Sequence, residues 1–586
     1  MNVACWEDEN LEIYGDYDAL VVGSRTWTSR ALHDHCCRLA GALAQLGLAP
    51  GDRIVLLLPS GFELMVAFTA ILRAGGVPVV WYPDSPSSEI ERVIAHCGAK
   101  GVIATSARIS YLTADAIPLQ IVVGTNGENR AAGPHAFERL LQCDAPLCQP
   151  VPRAAHDFAQ LIYTSGTTGT PKGIVYTHGQ IAQRYPFLKA TGQINGGAVR
   201  PFVRLMALPP AHALGGSFFF VRLVSKSTII CQDSFDARQF LHAVGQHRVT
   251  TTVLVPSMCE ALLNEEDIGG YDLSSLRTVV AGGAFVSASL VERFEARFKK
   301  RLVISYGLTE VPGITLGSSK AKPGSAGRLP SAVAVRFVDA EARPLSLGEI
   351  GEIQFKRHWV SAIYRPDDEA PKGTEGDDEW FSTGDIGYLD ADRELFITGR
   401  IKELISVGGV KINPQKIVDV ILRLGVLQCA VVGVPHSFLG EEAVACVVPG
   451  ERARITEDAV LAHCRANLDK RLAPSSVLFF ESLAKTKLGK IKTEVLRQEV
   501  LRRRAAVVET GLMSGLRSAP LGQRRSLLRE EIGKNLRRIL HREPTASPGS
   551  EFDVSATFGH LGLDSLGAVE LANSLSVSSA SRSRRL

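Results

Sequence analysis

With 586 residues the chain is long enough for several domains of about 100–200 residues each, and for large buried cores. Its 65 basic and 61 acidic residues leave a net charge of +4, too small at this length to make nucleic acid a main partner. Eleven cysteines are scattered without a C-x-x-C pair, which argues against a zinc or disulfide framework and for reduced core thiols.

The first ten residues carry Glu7, Asp8 and Glu9 where a signal peptide needs an apolar stretch, and no apolar run of about 18 residues follows. A cytoplasmic enzyme with no membrane partner is therefore expected. From Thr28-Ser29 to Leu48, Leu32, Leu39, Leu43 and Leu46 keep helical spacing, with Thr28 or Ser29 as the cap. Arg53 to Leu58 reads as a buried strand, Glu63 to Ala74 as a helix, and Val77 to Trp81 as the next strand. Alternation continues through Glu89–Cys97 and Gly101–Ala104, the pattern of an α/β domain with a largely parallel sheet. Residues 126–156 read as a less regular approach to the next strand.

Leu161-Ile162-Tyr163 then breaks into Thr164-Ser165-Gly166-Thr167-Thr168-Gly169-Thr170-Pro171-Lys172-Gly173. Glycines let backbone N–H groups approach an anion, hydroxyls add donors and Lys172 adds charge, so the stretch reads as a phosphate loop. Its spacing is not that of Walker A. Strands at Leu205–Leu208, Thr251–Pro256 and Thr278–Ala281 follow, each with a loop at its C-terminal end, where open α/β sheets bind ligands. Residues 349–390 shift to short alternating runs, a β subdomain. A small unit of helix, two strands and helix follows from Pro414 to Leu468, beyond a boundary at Arg400–Glu403. Residues 505–523 read as a linker, and Leu528, Ile532, Leu536 and Leu540 mark an amphipathic helix after it. The arginines at 502–504, 524–525 and 582–585 lack interleaved aromatics and read as solvated faces.

The run from Tyr163 to Gly173 resembles the signature of the acyl-adenylate-forming superfamily: acyl-CoA synthetases, carrier-linked adenylation domains and luciferases. Tyr306-Gly307-Leu308-Thr309-Glu310 resembles its Y-G-x-T-E element, Thr383-Gly384-Asp385 its T-G-D, and Gly399-Arg400-Ile401-Lys402-Glu403 its G-R-x-[KD]-[DE]. Lys485 to Ile491 resembles P-[KR]-T-x-x-G-K-[IV], with Ala484 where proline is common. The resemblance implies that Thr164, Ser165, Gly166, Thr167, Thr168, Gly169 and Lys172 grip ATP. By the same likeness Tyr306 lines the adenine and acyl pockets and Thr309 contacts phosphate. Glu310 helps hold Mg²⁺, Asp385 takes the ribose hydroxyls, Arg400 lies near ribose or phosphate, Lys402 is the hinge and Lys490 is the catalytic lysine.

It also implies a fold: a large N-terminal α/β/α adenylating domain with a β subdomain (1–400), and a small mobile α+β C-terminal domain (401–504). The implied reaction is ATP-dependent activation of a carboxylic acid as acyl-AMP and its transfer to a thiol. Ala211-His212-Ala213 stand where domains that activate α-amino acids carry an Asp for the ammonium, and an unpartnered buried ammonium costs several kcal/mol. His212 resembles the histidine that aryl-acid and acyl-CoA ligases carry there. With Gly282, Gly283, Ala284 and Phe285 nearby, an aryl or short acyl acid is expected.

Leu561-Gly562-Leu563-Asp564-Ser565-Leu566 resembles the acyl carrier motif of polyketide synthases, with Ser565 as the 4′-phosphopantetheine site. The 21 residues after Ser565 are too few to close a four-helix bundle, so a truncated, partial helical carrier domain is expected at 524–586. The expected thiol partner is a carrier protein or polyketide synthase module, with CoA as the alternative.

Overall fold

A computed structural model describes residues 1–110, 112, 117–124, 135–164, 172–184, 202–315, 321–330, 333–364, 379–436, 438–450, 455–469, 472–486, 489–510, 520 and 522–523. The chain divides into two compact units: residues 1–402 with 487–490, and 403–486 with 491–586.

Among the described residues the larger unit holds three sheets. One runs in the order Leu119–Val123, Gly101–Thr105, Arg53–Leu57, Val77–Val80, Phe158–Thr164, Lys172–Thr177, parallel except for the last pair. A second runs Arg301–Ser305, Thr278–Gly282, Thr251–Leu254, Phe202–Met206, Ser227–Cys231, Asp18–Val22, Arg25–Thr28, again parallel up to its final antiparallel pair. Parallel strands are covered on both faces, which is why Ile54 to Leu57 and Val77 to Val80 are continuously apolar and buried. Helix Phe62–Arg73 is buried almost all round, as a core helix must be when it is apolar on every side. Its Phe68 stacks on Phe219 of helix Ala213–Val224 with ring centroids 4.0 Å apart. Thr28 caps helix Ser29–Gln45 by accepting from Ala31 N. An antiparallel sheet of Val335–Val338, Gly351–Lys356, Trp380–Leu389 and Leu395–Arg400 forms the β subdomain.

Helix Cys5–Tyr14 forms in a stretch where no element was expected. Its Glu7 is buried between Arg73 and Arg222, with Arg222 Nη1 2.8 Å from Oε1 and Arg73 Nη2 3.2 Å from Oε2.

The smaller unit is a five-stranded sheet. Val410–Ile412, Ile405–Val407, Gly440–Val448 and Gln428–His436 run in that order, and Ser476–Phe479 pairs with Gly440–Val448. Helices Pro414–Leu422, Glu457–Asn467 and Thr493–Thr510 complete it. The last helix runs past residue 505, where the linker was expected to begin, because Ala505-Ala506 and Glu509 are strong helix formers. The rest of that linker, apart from residues 520, 522 and 523, lies outside the described residues, as does the whole carrier-like segment with Ser565.

Candidate active site

Phe158–Thr164 ends where the phosphate loop begins. Ser165, Gly166, Thr167, Thr168 and Gly169 lie outside the described residues, while Thr164 and Lys172 pair across the mouth of the loop. The Thr164 hydroxyl donates to the Lys172 carbonyl at 3.4 Å. Lys172 Nζ lies 3.6 Å from Glu310 Oε1, and both side chains keep solvent contact, at 41% and 22% exposure. That is an ion pair wide enough to part for a ligand.

Glu310 sits on a tight turn after strand Arg301–Ser305. Leu308 and Val311 exchange backbone hydrogen bonds at 3.1 Å. A Cβ on Gly307 would stand 2.5 Å from the Gly313 nitrogen, so the turn closes with glycine there and would have to open for any larger residue. Two segments hold it from outside: Tyr176 donates its hydroxyl to the Thr309 carbonyl at 2.8 Å, and Ser361 N donates to the Glu310 carbonyl at 2.7 Å.

A second constellation joins the turn to the β subdomain. Tyr306 donates its hydroxyl to Asp385 Oδ2 at 2.8 Å, and Arg400 Nε donates to Oδ1 at 2.5 Å. Burial, then the adjacent Asp385 carboxylate, push the Tyr306 phenol well above its usual range, so it stays a neutral donor. Asp385 is 2% exposed, and its own N–H donates to Thr383 Oγ1 at 3.0 Å. Each carboxylate oxygen accepts one of these bonds and keeps a lone pair for a further donor.

His212 is the N-cap of helix Ala213–Val224, its Nδ1 accepting from Leu214 N at 3.3 Å. Burial lowers its pKa to about 4 and the Lys490 charge adds to the effect, so the imidazole is neutral at physiological pH. A Cβ on Gly283 would stand 3.5 Å from both Leu214 Cδ2 and Val255 Cγ1, so the loop after strand Thr278–Gly282 packs on apolar groups there. Lys490 closes the short 487–490 segment that groups with the larger unit, next to Gly489, whose φ is +75°. Lys402 is exposed in the 3₁₀ turn Ile401–Glu403 and ends the first stretch, residues 1–402, of the larger unit. The structure thus brings Lys172 to Glu310, Tyr306 and Arg400 to Asp385, and the Lys490 charge to His212. Tyr176 escaped the sequence reading because it carries no motif signal; its distance from Thr309 is visible in three dimensions alone.

Two family models match the chain, the AMP-binding enzyme over residues 8–365 and the AMP-binding enzyme C-terminal domain over residues 422–490. The chain belongs to the AMP-binding enzyme family. It is an ATP-dependent, adenylate-forming ligase whose chemistry begins with adenylation of an acid. This AMP-binding enzyme is 30% identical to 4-coumarate–CoA ligase 3 of Arabidopsis thaliana, over 84% of this chain and 90% of that one. It is 33% identical to feruloyl-CoA synthase of Amycolatopsis sp, over 82% of this chain and 94% of the other. A crystal structure of ATP-bound MatB from Rhodopseudomonas palustris superposes with a TM-score of 0.74 at 26% identity, covering 85% and 99% of the two chains. Among the described residues of this AMP-binding enzyme no helix is long and apolar enough to cross a membrane.

Proposed function

We propose that the enzyme activates an aryl or short acyl carboxylic acid, not an α-amino acid, and passes the acyl group from AMP to the phosphopantetheine thiol of CoA. The observation that carries the choice of acid is the neutral His212 in the stretch Ala211–Ala213, which offers no carboxylate to pair an ammonium. The choice of CoA rests on relatives such as 4-coumarate–CoA ligase 3 and feruloyl-CoA synthase, which span more than four-fifths of the chain.

In this reading the acid's carboxylate attacks the α-phosphorus of ATP and pyrophosphate leaves. Lys172 and the phosphate loop hold the departing phosphates, while Asp385 and Arg400 receive the ribose. Thr309 faces a phosphate. Lys490 supplies a compact cation to the charge that develops during transfer. Glu310 fits Mg²⁺, a hard cation commonly held through one or two carboxylates plus substrate phosphates: its carboxylate is partly exposed and its ion pair with Lys172 is loose. Bound there, Mg²⁺ would neutralise phosphate charge. Lys402 then serves as the pivot about which residues 403–486 turn to admit the thiol.

A second reading, delivery to a carrier thiol, is favoured by the Leu561–Leu566 motif with Ser565. ATP–pyrophosphate exchange across a panel of aryl, short acyl and α-amino acids tests the first half; strongest exchange with an α-amino acid would sink it. Product analysis with CoA, an intact carrier or the enzyme itself as acceptor tests the second. Acyl-CoA is expected, and acylation solely of a phosphopantetheine thiol installed on Ser565 would move the assignment to the carrier.

A further inference from the structure

Strand Lys172–Thr177 reaches the Tyr306–Glu310 turn twice. Lys172 at its start lies 3.6 Å from the Glu310 carboxylate, and Tyr176, four residues on and so on the same face, donates its hydroxyl to the Thr309 carbonyl at 2.8 Å. A third tie, Ser361 N to the Glu310 carbonyl at 2.7 Å, comes from another segment. Two consecutive carbonyls, those of Thr309 and Glu310, are therefore held by separate parts of the chain. The peptide units on either side of the Glu310 Cα are each held at their carbonyl, which restrains rotation about the Glu310 backbone bonds and so steadies its Cα–Cβ direction.

Packing does not explain the hydroxyl, since phenylalanine would fill the same volume. The ring is 4% exposed and lies beneath the Arg184 guanidinium, 5.2 Å from the ring centroid. Its cross-strand neighbour is the buried Gln160. Burial raises the phenol pKa far above neutrality, so the group remains a donor throughout the working range of the enzyme.

We propose that Tyr176 is a positioning residue for the metal-bearing carboxylate: by holding the Thr309 carbonyl it presents the Glu310 side chain to Mg²⁺ at the phosphate end of the site. This rests on the reading of Glu310 as the Mg²⁺ carboxylate. Tyr176 touches neither substrate nor metal and acts through the turn.

The test compares Tyr176→Phe, Tyr176→Met and Glu310→Gln with the wild type in two measurements. One is calorimetric binding of ATP with Mg²⁺ and, separately, in EDTA. The other is the Mg²⁺ concentration giving half-maximal pyrophosphate exchange. Loss of one hydrogen bond predicts that Tyr176→Phe weakens Mg·ATP binding about fivefold to tenfold and raises the half-saturating Mg²⁺ by a similar factor. Metal-free ATP affinity should stay within about twofold. Tyr176→Met, which also lacks the hydroxyl, should do at least as much. If the metal-dependent and metal-free affinities of Tyr176→Phe fall together, or neither falls, while Glu310→Gln is metal-sensitive, the positioning role is wrong and the Glu310 reading stands. If Glu310→Gln leaves the Mg²⁺ dependence unchanged, the Glu310 reading fails and the inference falls with it.

Discussion

Two charge constellations in the larger unit contrast sharply. Around Glu7 the ions are sealed: Arg73 is 0%, Arg222 4% and Glu7 5% exposed, and Arg222 also donates to Thr69 Oγ1 at 2.8 Å. Around Glu310 both side chains keep partial solvent contact, and the charges stand 3.6 Å apart. The first has no room for a ligand and ties helix Cys5–Tyr14 to helices Phe62–Arg73 and Ala213–Val224. The second is loose enough to exchange its partner for a substrate. Asp385 lies between the extremes, buried like the first but bonded to an Arg400 that is 37% exposed. Sealed pairing ties elements together here, and the loose pairing lies at the site proposed for chemistry.

The largest expected effect breaks the sealed cluster. Glu7→Gln removes the carboxylate paired with the buried Arg222 and leaves Arg73 with Asp8, 2.8 Å away; it should cost about 3 kcal/mol, read as a fall in the urea midpoint. Lys490→Ala should lower the adenylation rate by about 10²–10³-fold with an unchanged midpoint, if the lysine stabilises charge as other such donors do. Gly307→Ala should come next. Its Cβ would meet the Gly313 nitrogen at 2.5 Å and push the Glu310 turn open, at a cost of about 1–3 kcal/mol that should also appear as a raised Mg²⁺ requirement in pyrophosphate exchange.

The smallest effect is a pH dependence at the edge of the sealed cluster. The hydrogen bond that His33 Nε2 donates to Asp8 Oδ1 at 2.7 Å outweighs burial and raises the His33 pKa; Glu7 favours the imidazolium and Arg73 opposes it. A raised folded-state pKa contributes stability fully below the unfolded value of about 6.5, and the contribution is lost as pH rises through the folded value. The urea midpoints of wild type and His33→Gln should therefore differ more at about pH 5.5 than at about pH 8.5. A gap that widened with pH would contradict this. Glu7 carries the opposite sign. Burial alone would raise its pKa, but Arg222 and Arg73 outweigh that and lower it, so its contribution is present above about pH 4.3 and lost as the pH falls through the folded value.

Much of the architecture was legible in the sequence, because buried parallel strands write themselves as apolar runs such as Arg53–Leu57 and Thr278–Gly282. The family was legible too, since phosphate and ribose contacts use short motifs. Helix Cys5–Tyr14 was not. Its Glu7-Asp8-Glu9 run reads as solvated, and the arginine that buries Glu7 most closely is 215 residues away. Tyr176 was hidden for the same reason, its partner Thr309 being 133 residues on. His212 was legible as a residue of interest, but its role as the N-cap of helix Ala213–Val224 appears in three dimensions alone.

The most direct test of the contrast pairs one variant from each constellation, Glu7→Gln and Glu310→Gln, in pyrophosphate exchange at a temperature where both are folded, with urea midpoints measured alongside. The account predicts a crossed result: Glu7→Gln loses stability and keeps exchange near the wild-type rate, while Glu310→Gln keeps its midpoint and loses exchange. Loss of exchange in a fully folded Glu7→Gln, or a Glu310→Gln that exchanges normally, would contradict it.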